Sequence, residues 1–278
     1  MKFISLLTGI ALLLPAAASA REPELSFGVL NQRSPTLTAQ YWNPILQYVS
    51  EKSGVPLKMR MGRTAQETSA MTQRGEFQFL YSNHIFTVEN RPAGYRVFAR
   101  PDEKPVQGQL VVLDDSPVHA LGDLEGKEVA FPNQSAFLGY YLPMDALMQA
   151  KIKIAPLFSG NQEGAMGQLK AGRVVAAGVH SEVMHDFAQR EQIKYRVVWT
   201  SGGYLNLPLA AHPSVPQAKL KAVRDAFVGM GKDAEGVKIL AASSALIKQK
   251  PLAGFVPSSD KEYENVVNFY RSSLVKGQ

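Results

Sequence analysis

Residues 109–131, QLVVLDDSPVHALGDLEGKEVAF, decide the fold. Leu110 to Leu113 form an apolar run that stops at Asp114-Asp115-Ser116-Pro117, a cluster of turn formers. A short segment follows at Ala120 to Leu124, then a turn at Gly126-Lys127, then a second apolar run at Val129-Ala130-Phe131. Short apolar runs bounded by turn signals read as buried strands, so the stretch predicts strand, short helix, strand.

The same alternation extends in both directions. Upstream, strands are predicted at Leu25 to Leu30, Pro56 to Met61, Phe77 to Tyr81 and Tyr95 to Ala99. Tyr41, Trp42, Ile45, Leu46 and Val49 share one helical face. Pro44 interrupts that face: either Asn43 caps and Pro44 takes the first helical position, or the helix begins near Thr38 and bends. A second helix runs from Ala65 to Arg74 and stops at Gly75. Downstream, strands are predicted at Glu128 to Phe131, Ala155 to Phe158, Val174 to Val179 and Tyr195 to Trp199. Helices fall at Gly139 to Ala150, Gln162 to Ala171 and Ser181 to Gln189. The chain then returns through Leu207 to Ala211 and closes with two helices, Pro216 to Met230 and Asp260 to Val275. Strands alternating with helices imply an α/β fold with helices on both faces of each sheet. Two lobes joined by two chain crossings, near Pro105–Gln107 and Gly203–Leu205, fit this order. One lobe would hold residues 21–106 and 205–278, the other residues 107–204.

The N-terminus predicts export. Met1-Lys2 supplies a positive start, Phe3 to Leu14 is almost wholly apolar, and Ala18-Ser19-Ala20 is a small-residue cleavage site. This is the pattern of a cleavable signal peptide over residues 1–20, too short to span a bilayer. The mature chain would hold 258 residues (278 − 20) with a net charge of +5 (30 basic residues less Lys2, less 24 acidic). The basic residues are scattered, with no interleaved aromatics, which argues against nucleic-acid binding. With no cysteine there is neither a disulfide nor a lipidated cysteine, so a free periplasmic monomer is expected.

Several motifs together carry a resemblance. These are Trp42-Asn43-Pro44-Ile45 in the first helix, the 109–131 segment, and Gly139 followed by Pro143. To them are added Phe158-Ser159-Gly160-Asn161-Gln162 ahead of a helix ending at Gly172-Arg173-Val174, and Phe255-Val256-Pro257 followed by Tyr263. In order and spacing the chain resembles the type 2 periplasmic solute-binding proteins, in the phosphonate/phosphite-binding (PhnD-like) branch. The resemblance implies a two-lobed binder that closes on a small molecule, performs no catalysis, needs no cofactor and docks transiently on an inner-membrane ABC permease. It does not carry over the family's ligand residues. The hydroxyl-rich turn before the glycine at 139 is here Ser135-Ala136-Phe137-Leu138. The family's histidine in the next loop falls on Gln162, an acid falls on Val175, and two tyrosines fall near Ala65 and at Val106 or Gln107. A retained scaffold with a divergent pocket is therefore expected.

Ligands of open α/β sheets sit beyond the carboxyl ends of the strands, where helix N-termini favour anions. That rule selects five loops. The first is Asn31-Gln32-Arg33-Ser34-Pro35, with Arg33 suited to a bidentate clamp on an anion. Thr64 lies in the second, where helix capping alone would also explain it. The third, Tyr81-Ser82-Asn83-His84, places four polar side chains after a buried strand, which is costly unless they are satisfied. The fourth is Asn133-Gln134-Ser135 and the fifth is centred on Asn161 and Gln162. Tyr204, at the return crossing, could stack on an organic ligand. This mix of amides, hydroxyls, aromatics and one cation fits a small polar or anionic solute.

Two other readings stay open. A metal or metal-complex binder would draw on His84 and His180, although no H-E-x-x-H, EF-hand or cysteine motif is present. A binder of the same fold could instead present its ligand to a membrane sensor kinase. A hydrolase has the least support, since there is no G-x-S-x-G, cysteine nucleophile or P-loop.

Overall fold

A computed structural model describes residues 23–276. Residues 1–20, read as a signal peptide, lie outside them. Among the described residues no helix is long and apolar enough to cross a membrane.

The chain builds two mixed sheets in turn. It begins with strand β1 (Leu25–Val29), helix α1 (Pro35–Ser53), β2 (Leu57–Arg60), α2 (Ala65–Gln73), β3 (Phe79–Tyr81) and β4 (Arg96–Pro101). Parallel pairing of β1 with both β2 and β3 requires crossover helices, which α1 and α2 supply. The chain then leaves for the second sheet: β5 (Gly108–Leu113), β6 (Glu128–Phe131), α3 (Leu142–Gln149), β7 (Ala155–Phe158), α4 (Gln162–Lys170), β8 (Ala176–His180), α5 (Ser181–Glu191) and β9 (Tyr195–Thr200). It returns through β10 (Leu209–Ala211), α6 (Gln217–Met230), α7 (Ala234–Leu246), β11 (Phe255–Pro257) and α8 (Glu264–Ser272). The six-stranded sheet has the order β11-β4-β10-β3-β1-β2, the five-stranded sheet β7-β6-β8-β5-β9.

The two crossings lie side by side and are hydrogen-bonded to each other. Val106 N donates to Tyr204 O at 2.7 Å, and Tyr204 N donates to Val106 O at 2.8 Å. Such a two-stranded neck can bend while keeping its own pairing.

Helix α1 shows how the local sequence sets the geometry. Ser34 caps it, accepting from Leu37 N, and Pro35 takes the first position, where a missing N–H costs nothing. Of the two starts open in the sequence, the early one is realised, and Pro44 sits inside the helix. Gly54, at φ 70°, ends it in the left-handed region. The apolar face drives Trp42, Ile45, Leu46 and Val49 into a core with Phe27, Phe79, Phe98 and Phe227. Trp42 lies 5.3 Å from Phe27 and 4.7 Å from Tyr81, ring centre to ring centre. Each such side chain contributes roughly 1.5–3 kcal/mol on burial.

The structure departs from the sequence reading at three places. The helix expected from Gly139 begins two residues earlier as a wide π-type turn over Phe137–Tyr141, with Tyr141 N donating to Ala136 O at 3.0 Å. Pro143 has no N–H to offer the preceding turn, so the α-helical ladder starts only at Leu142. The segment Ala234–Leu246, unassigned in the sequence reading, is a helix capped by Asp233; its small Ala and Ser residues blur the apolar stripe. The last helix is interrupted, a 3-10 turn over Asp260–Tyr263 preceding α8.

The π-type turn is pressed onto the second sheet. A Cβ on Gly108 would stand 2.4 Å from Leu138 O, and one on Gly178 2.4 Å from Gly139 O. These strand positions tolerate only glycine because main chain lies directly on them.

Candidate functional site

Where the two sheets face each other, the loops after β1, β3, β6 and β7 and the end of β8 enclose a cavity of about 50 Å³. One buried water needs roughly 10–15 Å³, so the space holds about four water-sized groups. Leu30, Asn31, Gln32, Asn83 and His84 form one side; Asn133, Ser135, Asn161, Gln162 and His180 form the other. Phe137, Leu138, Leu205 and Leu207 supply apolar walls. This is the strand-end location that the sheet topology favours.

Much of the polar lining is held by the protein itself. Asn31 Nδ2 donates to Gly62 O at 2.9 Å while its Oδ1 accepts from Thr68 Oγ1 at 2.6 Å. Asn133 Oδ1 accepts from Ser135 N at 3.0 Å and from Ser135 Oγ at 2.8 Å. Asn161 caps α4 through Gly164 N. Gln162 Oε1 accepts from His180 N at 3.2 Å. These bonds fix the loops and leave a smaller set of groups for a ligand.

That set is buried and incomplete. Asn83 Oδ1, His84 Nδ1 and His180 Nδ1 are enclosed without a hydrogen-bond partner among the described residues. Asn83 is 8% exposed, His84 2% and His180 5%, so water does not serve them as bulk solvent would. An orphaned buried acceptor or donor costs roughly 1–3 kcal/mol, and clusters of them in native proteins mark sites. Burial depresses both histidines to about 4, and the Arg33 charge pushes His180 in the same direction. Both rings are therefore neutral at pH 7.

The cleft is electrically polarised. Burial lowers the Arg33 pKa, and the surrounding Tyr41, Tyr81, Glu163 and Asp186 oppose that shift. No hydrogen bond or close ion pair holds its guanidinium among the described residues. Burial raises the Glu103 pKa; the hydrogen bond that Asn206 Nδ2 donates to its Oε2 at 2.8 Å opposes the shift, Glu182 adds to it, and the Arg33 charge opposes it.

The residues named from sequence divide into two groups. Asn83, His84, Asn133, Ser135, Asn161 and Gln162 are brought together around the cavity. The others stand elsewhere. Ser34 and Thr64 are exposed helix caps. Tyr81 packs into the core against Trp42. Ser82 is fully buried and accepts from His84 N at 3.0 Å, shaping the turn that carries His84. Gln134 is half-buried beside the cavity lining, and Tyr204 meets Phe137 edge to face at 5.0 Å. Arg33 acts on the cavity through its charge on His180 and does not line it. Asn31 and Gln32, in the first loop selected from the sequence, and Asn206, at the return crossing, also line the cavity, although none of the three was singled out as a ligand residue.

A metal centre finds little here. Among the described residues no group of three or more His, Asp or Glu side chains is placed to hold an ion.

Comparison with known proteins agrees with this architecture. A family model described as "ABC transporter, phosphonate, periplasmic substrate-binding protein" matches residues 27–263. The phosphonates-binding periplasmic protein of Escherichia coli (strain K12) is 24% identical over 279 residues, covering 94% of this chain and 80% of that protein. A binding protein component of an ABC phosphonate transporter from Pseudomonas aeruginosa superposes with a TM-score of 0.76 at 18% identity, over 89% of this chain and 85% of that one. PhnD1 from Prochlorococcus marinus (MIT 9301), solved in complex with methylphosphonate, gives a TM-score of 0.75 at 15% identity, over 89% and 97% of the two chains. The fold is thus the two-lobed one of type 2 periplasmic binding proteins.

Proposed function

Since the chain belongs to the family of periplasmic substrate-binding proteins of phosphonate ABC transporters, we propose that it captures a small polar or anionic solute between its sheets and delivers it to an inner-membrane permease. The family binds substrate and performs no catalysis. The observation that carries the proposal is the cluster of buried, partnerless polar atoms on Asn83, His84 and His180 at the meeting of the two lobes.

In this reading residues 21–106 and 205–278 form one lobe and residues 107–204 the other, with the Val106–Tyr204 pair as the hinge neck. Residues 1–20 direct export and are cleaved, and the mature protein works as a monomer that touches its permease transiently. Closure reports occupancy because the ligand touches both lobes only in the closed form. The free energy of that difference sets how far the population shifts.

The test is a thermal-shift screen of ligand-stripped mature protein against phosphonates, phosphate, phosphite, sulfonates, carboxylates, amino acids and divalent metals. A ligand at a hundred times its dissociation constant adds about 2.7 kcal/mol of stability. A shift with a solute of this class, reduced on Asn133→Ala, supports capture in the cleft. Shifts with divalent metals alone would overturn it.

A further inference from the structure

Two of the three partnerless atoms on the residues lining the cavity are acceptors, and one of those two has its protonation pattern set from across the cleft. His84 follows β3, on the first sheet; Ser135 follows β6, on the second. His84 Nε2 lies 3.1 Å from Ser135 O. A carbonyl oxygen can only accept, so Nε2 must carry the proton. In a neutral imidazole that leaves Nδ1 as a bare lone pair, and Nδ1 is buried without a partner among the described residues. The neighbouring Asn83 Oδ1 is a second buried acceptor without a partner. Burial keeps the His84 ring neutral at physiological pH, so the lone pair persists.

Two buried acceptors ask for donors. A fully deprotonated anion brings only acceptors and would leave both atoms unsatisfied while adding lone-pair repulsion. From this we infer that His84 is a specificity-determining residue that accepts a hydrogen bond from the ligand, so that the cleft selects small anions retaining an O–H donor over donor-free anions of the same charge and shape. The inference rests on the capture reading above. The bond to Ser135 makes the selection conditional on closure. Only when the second lobe presents its carbonyl to Nε2 is Nδ1 committed as the acceptor. The positive charge of Arg33 lies on the His180 side of the cavity and attracts the anionic end without supplying or removing this requirement.

Two ligand pairs isolate the donor. The methylphosphonate monoanion and methanesulfonate share charge and tetrahedral shape and differ by one P–OH proton. Glycolate and propanoate are a carboxylate pair that differ by hydroxyl against methyl. Affinities are measured by calorimetry at pH 6 on ligand-stripped mature protein, and on His84→Gln and His84→Phe. Glutamine can still donate to Ser135 O but has no acceptor at the Nδ1 position; phenylalanine removes both functions. The expected result is a donor-bearing member bound roughly ten- to hundredfold more tightly in at least one pair. That ratio should fall towards one in His84→Gln. Equal affinities within every pair that binds, or a ratio unchanged in His84→Gln, would overturn the role of His84 while leaving capture intact. Binding of none of the four would overturn capture of small oxyanions and carboxylates in this cleft, and this inference with it. If His84→Gln does not fold, the wild-type ratios alone decide, with equal affinities again fatal.

Discussion

Asp145, on the second sheet's helix α3, accepts a hydrogen bond at 2.8 Å from the hydroxyl of Ser273, 128 residues later in the chain. The same oxygen accepts from Leu274 N at 2.7 Å, and Gln149 Nε2 donates to the other. Asp145 is 5% exposed and Ser273 2%. The C-terminal tail is thereby clasped to the opposite lobe from the sheet it leaves. Asp145→Ala would strand two buried donors and should destabilise by about 2–3 kcal/mol. Ser273→Ala removes one neutral partner and should cost about 1 kcal/mol. Urea unfolding of the two variants checks the ranking, and a smaller loss for Asp145→Ala would mean the tail detaches without resistance.

Acid should weaken the folded protein before its ordinary carboxylates titrate. His84 and His180 are held near 4 in the folded state, against about 6.5 in an unfolded chain. Between those values the unfolded chain binds more protons, so stability rises with pH. The neutral-histidine contribution is complete above about pH 6.5 and is lost as pH falls towards 4. The limiting slope is about 1.4 kcal/mol per pH unit for each ring. Glu103 and Asp186, raised by burial, act in the opposite sense nearer the carboxylate range. Urea midpoints between pH 7.5 and 4.5 should fall steadily, and less steeply for His84→Gln. A flat profile would show that both rings take up protons without unfolding the protein.

Gly178 should not accept a side chain. Its Cβ would lie 2.4 Å from Gly139 O and 2.6 Å from Phe131 Cδ1. Gly178→Ala must lift the π-type turn from the sheet, with an expected loss of about 1–3 kcal/mol, as for overpacking elsewhere. Gly122→Ala, where open space surrounds the position, is the control and should be near neutral. Thermal midpoints of the pair decide between steric contact and general loss of flexibility.

Tyr81 and Asn133 should separate stability from binding. Tyr81→Ala hollows the core beside Trp42 and should cost about 3–5 kcal/mol. Asn133→Ala releases Ser135, whose carbonyl meets His84, and should reduce solute affinity about tenfold or more while costing about 1 kcal/mol of stability. Calorimetry and urea titration on both variants read the two effects separately. Full affinity in Asn133→Ala would remove the 133–135 loop from the site.

Much of the fold was legible because its signals are local. The strand at 110–113, the turn at Gly126 and the stripe from Trp42 to Val49 each declare themselves within a dozen residues. Helix α7 did not, since Ala, Ser and Gly positions carry little contrast between buried and exposed faces. Around the cavity, strand-end reasoning selected Asn83, His84, Asn133 and Ser135, which do line it. It could not tell Tyr81 from a ligand residue, because a tyrosine after an apolar run serves a core and a pocket equally well. Nor could it see that Asn31 and Asn206 would have their amides engaged by Thr68 and Glu103, partners 37 and 103 residues away.

The turn seated on Gly108 and Gly178 has an evolutionary reading. Here the floor beneath the cavity is peptide backbone resting on peptide backbone, and neither layer depends on which side chains project from the turn. Substitutions at Ser135, Ala136 or Leu138 can therefore change the lining of the cavity without moving the platform beneath it. A lineage with this platform can vary the side chains around the cavity while the architecture beneath them stays the same.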